Sequence, residues 1–286
     1  MVRKRVHPEI VVAMAAAVWG LFWIPLRALD ERGLDPGWVI VCQFSVPLLL
    51  LLPFGVWRWW HGRPVGLAQW VTGLLAGGGV ALYSESLLLT SVARALILFY
   101  VMPAWGTLIE VGLMGRRFTV WRGGALVLSV AGLLAILGLN RSAPSLFNLG
   151  DFLALLSGIL FTFGAMRVRE AEAVSVFEQV FAFFFSGLLV ALGMILLPLE
   201  VLGRPPTVSL VLSLLPLLLG MSGLVLIPAM WGIYWGSRFV DPGRLGIILQ
   251  LEAVVGIGSA AVLAGEPFGW GEGAGGGWGG GGGGGG

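Results

Sequence analysis

The sequence predicts an all-α membrane protein of ten transmembrane helices, arranged as two inverted-topology five-helix repeats. Three observations carry this. The chain of 286 residues is 57% hydrophobic and only 11% charged, where soluble domains carry roughly 25% charged residues. Its mean hydropathy is +0.93. Residues 93–125 also return in degenerate form, without a gap, as residues 243–275: Arg94/Arg244, Ile97/Ile247, Gly106/Gly256, Leu113/Leu263, Gly115/Gly265, Phe118/Phe268 and Gly123/Gly273 coincide. Five predicted spans separate the copies, an odd number, so the copies cross in opposite directions. Secondary transporters commonly share this architecture, with the substrate site at the repeat interface near the bilayer midplane.

The spans are expected at about 9–29, 37–57, 66–89, 92–114, 119–139, 149–168, 174–198, 208–237, 242–264 and from about 270, each with enough apolar residues to cross as a helix. The first follows Arg3, Lys4 and Arg5 but is too long for a leader, and Pro25, Arg27 and Asp30 stand where a cleavage site would be; it reads as a retained span. Residues 1–140 form the first repeat, 141–148 the linker (Asn140 to Asn148 carries the loop signals), and 149–286 the second repeat. The last 16 residues hold 13 glycines. Glycine is a poor helix former and adds little transfer energy. The repeat nevertheless calls for a tenth helix here, with the 271–286 glycines standing for residues of unassigned identity.

Orientation follows from the basic residues. With the N-terminus inside, Arg3, Lys4, Arg5, Arg58, Arg63, Arg116, Arg117, Arg122, Arg167, Arg169, Arg238 and Arg244 face the cytoplasm. Arg27, Arg32, Arg94, Arg141 and Arg204 face outward. That excess on one side predicts cytoplasmic N- and C-termini. Trp38, Trp57, Trp59, Trp60, Trp70 and Trp121 fall at span ends, as interfacial residues do. The net charge of +2 is spread through loops and describes no phosphate-binding face, so no nucleic-acid partner is expected. The lone Cys42 permits no intrachain disulfide, and His7 and His61 lie outside the spans, so no metal site is expected. No Walker A motif or nucleophile elbow occurs, and no enzyme activity or cofactor is expected.

Chemistry is expected where polar groups lie deep in spans, because their insertion is costly. Glu252, near the centre of span nine, is the foremost candidate: it either contacts a substrate ammonium or is a protonated acid bonded to a neighbouring helix. Glu85, two residues after Tyr83 in span three, either gates the outer mouth or snorkels to headgroups. Glu110 shares a helical face with Tyr100, Pro103 and Thr107, and either faces a cavity or pairs with Arg116 or Arg117. Glu178 and Gln179 read as a cap or ion pair. Arg94 and Arg244 occupy equivalent repeat positions at opposite membrane faces, where each either closes the cavity or anchors a helix end. Trp19 and Trp23, Tyr100 and Trp105, and Trp231 and Tyr234 lie too deep in their spans to be interfacial anchors. They can form an aromatic lining or pack between helices. Gln250, the repeat equivalent of Tyr100, joins the lining set. Gly78, within Gly77–Gly79, permits close helix approach; Pro103, Pro216 and Pro228 are expected hinges, with span eight the most bent.

The segment Ala93–Gly132 resembles the helix-four and helix-five signature of the drug/metabolite transporter superfamily, in its EamA-like branch. It has a small-residue turn, an apolar helix with Pro103, and a loop in the place of Gly-Glu-Arg. Here that loop is Gly115-Arg116-Arg117, with Arg where the family has Glu; Gly265-Glu266 in the second copy keeps it. Trp19-Gly20 resembles the family's first-span start, and Ser157-Gly158 its counterpart in span six. The resemblance implies a central cavity lined by helices 1, 3, 4, 6, 8 and 9, alternating access, and no cofactor. The Trp/Tyr-rich spans and two-arginine loop resemble the branch that exports amino acids and related metabolites from the bacterial inner membrane. This makes neutral or aromatic amino acids the expected substrates, hydrophobic organic cations the alternative, and proton coupling possible.

Overall fold

The computed structural model describes residues 7–112, 115, 120, 123, 124, 127, 147–170, 174–240 and 242–265. Most of the fifth span, Arg116 and Arg117, most of the linker and the glycine tract lie outside the described residues, as do the side chains of Pro103, Thr107 and Glu110. Among the described residues all regular structure is helical. Six helical stretches are long and apolar enough to cross a membrane: Pro8–Asp30, Pro36–Trp60, Leu67–Leu89, Leu149–Arg167, Val176–Ile195 and Val208–Gly236. Shorter apolar helices occupy Val92–Gly106 and Ile247–Leu263, at the places of spans four and nine.

Proline explains most interruptions. Span one divides into α1 (Pro8–Gly20) and α2 (Trp23–Asp30). Pro25 has no N–H to offer the Leu21 carbonyl one turn back, and Leu21 and Phe22 form the joint. α3 (Pro36–Trp60) runs unbroken through Pro47 and Pro53 for 25 residues, about 37 Å at 1.5 Å per residue. Span four divides into α5 (Val92–Phe99) and α6 (Met102–Gly112), because Pro103 cannot bond the Phe99 carbonyl. Span nine divides too, into α11 (Pro242–Leu249) and α12 (Leu251–Leu263). No proline accounts for that break. It nonetheless falls 150 residues after the first, Phe99 ending one segment and Leu249 the other. Span eight winds as α9 (Val208–Gly220), a π-helical turn (Met221–Leu226) and α10 (Ile227–Gly236). Pro216 lies inside α9, and Pro228 is at the start of α10.

α4 (Leu67–Leu89) is the central helix, packed against α7 (Leu149–Glu170) and α8 (Val176–Ile195) from the other half of the chain. Small residues allow this. A methyl on Gly77 would sit 2.2 Å from the Phe183 carbonyl oxygen, and one on Gly73 would sit 2.6 Å from that of Ala182. The backbones therefore touch, where side chains would hold them apart. α1 likewise contacts α10 and α12, with Gly20 against the Glu252 carbonyl. Both close approaches join residues before 112 to residues after 147.

A buried polar and aromatic site between two helix breaks

The two helix breaks lie side by side. The Tyr100 hydroxyl, at the first break, lies 3.1 Å from the Leu249 carbonyl at the second and 2.8 Å from Glu252 Oε2. Its single proton faces two acceptors, one a backbone carbonyl released by a helix ending and the other a carboxylate. Tyr83 stacks on Phe99 at 4.5 Å between ring centroids, and its phenol lies beside the same carboxylate. Glu252 is only 8% exposed, and its other oxygen, Oε1, has no hydrogen-bond partner among the described residues. Burial without a partner is costly for a carboxylate, so the site holds one acceptor in reserve.

Neighbouring helices carry further buried polar and aromatic groups. Trp23 donates from Nε1 to Ser259 Oγ at 2.9 Å, tying α2 to α12, and the Arg27 guanidinium sits 5.3 Å from the Trp23 ring centroid. Trp19 is buried and stacks on Phe22 at 4.9 Å. Gln43 donates to Ser84 at 2.9 Å, one residue from Glu85. Glu85 is wholly buried, and both its carboxylate oxygens lack partners among the described residues. Trp105 has a buried indole N–H with no partner among the described residues. Tyr234 is buried with its ring edge-on to Phe183, 6.3 Å away.

Two expected lining residues are more exposed than this group: Trp231 is 39% exposed, and Gln250 is exposed. Tyr100 and Gln250 hold matching positions 150 residues apart, and it is the Tyr100 side chain that bonds across the break. Arg94 and Arg244 also differ. Arg94 forms an ion pair with the fully buried Asp151, 2.7 Å from Nε to Oδ1, whereas Arg244 is exposed.

Hydropathy does not single out Asp151, although the sequence carries a signal for it. Asn148-x-x-Asp151 is a capping box. Asn148 Oδ1 accepts from the Asp151 N–H, and Asp151 Oδ2 accepts from the Asn148 N–H, both at 2.9 Å. Thr90 donates to Asp151 Oδ1 at 3.1 Å. The carboxylate therefore caps α7 while holding Arg94 of α5, and links the halves at the membrane face carrying Thr90 and Asn148. At the opposite face, Glu178 pairs with Arg58 and accepts from Ser175, which caps α8. Ser259, Asp151 and Arg58 thus make contacts that a hydropathy reading misses. Each is a single polar residue near an expected span end or on a small-residue face.

Residues 8–138 match the model of the EamA-like transporter family. No curated protein matches the chain. A solved structure titled "Crystal structure of protein" is 19% identical over 90% of each chain, with a TM-score of 0.52; it shares the fold across both halves. The EamA-like family is one of membrane transporters of small solutes, not of enzymes. Six membrane-length apolar helices and that match together make this chain a multi-pass membrane protein, whose residues 8–138 are similar to the EamA-like transporter family.

Proposed function

We propose that the protein exports neutral or aromatic amino acids and similar zwitterionic metabolites across the bacterial inner membrane, with both termini in the cytoplasm. The two five-helix repeats, 1–140 and 149–286, rock about the central site in alternating access. The observation that carries this reading is the pairing of Tyr100 with Glu252 across two helix breaks, beside an unpartnered carboxylate oxygen. A substrate ammonium would gain a charge-assisted hydrogen bond from Glu252 Oε1. Backbone released by the breaks and the Tyr100 phenol would meet its polar groups. The rings of Tyr83, Phe99, Trp19 and Trp23 would take an apolar or aromatic side chain. Arg94 closes one side through Asp151, and Glu252 or Glu85 carries a proton if export is coupled. Discontinuous helices at a midplane repeat interface are the usual setting for substrate and ion sites in such transporters.

The test is uptake of labelled amino acids into proteoliposomes, with and without a pH gradient, by the wild type and Glu252→Gln. Saturable amino-acid uptake that collapses in the variant is the expected result. No uptake of any amino acid by folded protein would overturn the reading. Glu85 favours a second reading. An unpartnered carboxylate close to an aromatic-rich core suits a hydrophobic organic cation, and movement of such cations alone would select it.

A further inference from the structure

Away from the central site, an apolar groove of about 420 Å³ opens between α3, α4 and α8. Its walls are aromatic: Phe177 and Phe181 stack at 5.6 Å, and Trp70 lies edge-on to Phe181 at 6.3 Å. Gly55 makes the room, because even a methyl there would come 2.8 Å from the Phe181 ring. Among its lining residues the only charged ones are Arg58 and Arg63. Arg58 is paired with Glu178 and lies over the Phe177 ring at 5.6 Å. Arg63 stands exposed, and its guanidinium has no ion-pair partner among the described residues. The groove mouth lies at the end of α3, where Trp57, Trp59 and Trp60 are 49%, 66% and 77% exposed. A tryptophan cluster of this kind marks the headgroup level of a bilayer.

We propose that this groove is a binding site for one anionic phospholipid, with an acyl chain along Phe177, Phe181 and Trp70 and the phosphate at Arg63. The chemistry excludes the solutes considered for the central site. A zwitterion's ammonium would meet two arginines and no free carboxylate, and an organic cation would meet the same repulsion. An apolar channel ending in an unpaired cation at headgroup depth complements a lipid with a negative headgroup. Attraction between a basic side chain and anionic lipid amounts to about fivefold in affinity. The lipid would bridge α3 and α8, which come from opposite halves of the chain.

Native mass spectrometry of the purified, delipidated full chain tests this, with dioleoyl phosphatidylglycerol and dioleoyl phosphatidylcholine at equal concentration. The wild type should retain one phosphatidylglycerol in preference to phosphatidylcholine. Arg63→Gln should lower that preference about fivefold. Leu52→Trp, at a groove position already 40% exposed, should abolish retention while leaving the far-ultraviolet circular dichroism unchanged. Glycerol phosphate and inorganic phosphate should leave retention and thermal midpoint unchanged. Equal retention of both lipids by the wild type overturns the proposal. So does an unaltered preference in Arg63→Gln, or stabilisation by phosphate alone. Should Leu52→Trp fail to fold, the headgroup preference of Arg63→Gln decides alone.

Discussion

Tyr100 donates its hydroxyl proton toward Glu252 across 2.8 Å, joining two residues 152 positions apart, each beside an interruption in its own helix. An ordinary helix satisfies its carbonyls internally. Here Leu249, the last residue of α11, leaves a carbonyl that the same phenol reaches. The contact is therefore possible only because both spans break at matching depth.

Tyr100→Phe keeps the ring and its edge-on contact with Phe99 but removes the hydroxyl. Hydrogen bonds to charged groups contribute about 1.5–3 kcal/mol, so transport should fall about tenfold or more while the protein remains folded. Initial uptake rates in proteoliposomes, beside a melting curve in detergent, separate the two effects. Wild-type rates in the variant would remove Tyr100 from the pathway.

Breaking the Arg94–Asp151 pair should destabilise strongly, because Asp151 is fully buried. Removing one partner of a buried pair costs about 3–5 kcal/mol. Asp151→Ala should be worse than Asp151→Asn, since it also deletes the acceptor of the Asn148 N–H, a hydrogen bond worth about 1 kcal/mol. A thermal denaturation cycle with Arg94→Gln, Asp151→Asn and the double variant should show the double less destabilised than the sum of the singles. Strict additivity would mean that the two residues act independently.

Glycines divide by what surrounds them. Gly77→Ala would force a methyl to 2.2 Å from the Phe183 carbonyl, so α4 and α8 must separate. Overpacking of this kind costs about 1–3 kcal/mol. Gly223, in the π-helical turn, has nothing among the described residues within 4 Å of the place a methyl would take, and Gly223→Ala should leave the melting temperature unchanged or slightly raised. Melting temperatures of the two purified variants provide the comparison. Similar values would refute the close-packing account.

Trp23→Phe preserves an aromatic ring but loses the bond to Ser259. A net loss of about 1 kcal/mol is expected, matched by Ser259→Ala and not increased in the double variant. Denaturation midpoints of the three proteins test this. If the double variant loses twice as much, the two side chains do not act through each other.

Hydropathy and the 150-residue repeat make the helical spans visible, and six appear at full length close to their expected positions. Local chemistry also exposes some joints: Pro25 and Pro103 mark breaks because each lacks the N–H its helix needs. The break at Gln250 has no such mark. The capping box at Asn148–Asp151 is legible as a motif, but its pairing with Arg94 is not, because a cap motif says nothing about which helix lies alongside. The site candidates show the same divide: Glu252, Tyr83 and Tyr100 meet, while Trp231 and Gln250 of the same lining set remain exposed.

By itself the amino-acid order determined that this chain lies in a membrane, where its six membrane-length helices run, and which buried ionisable residues require an explanation. Those properties depend on local composition, since hydrophobicity and a missing N–H act within a turn or two of helix. Only the tertiary structure decided that Tyr100 reaches Glu252 and that Asp151 holds Arg94. Both contacts follow from the packing of α5 against α12 and α7, helices far away in the chain, and no local pattern announces which helices will lie side by side.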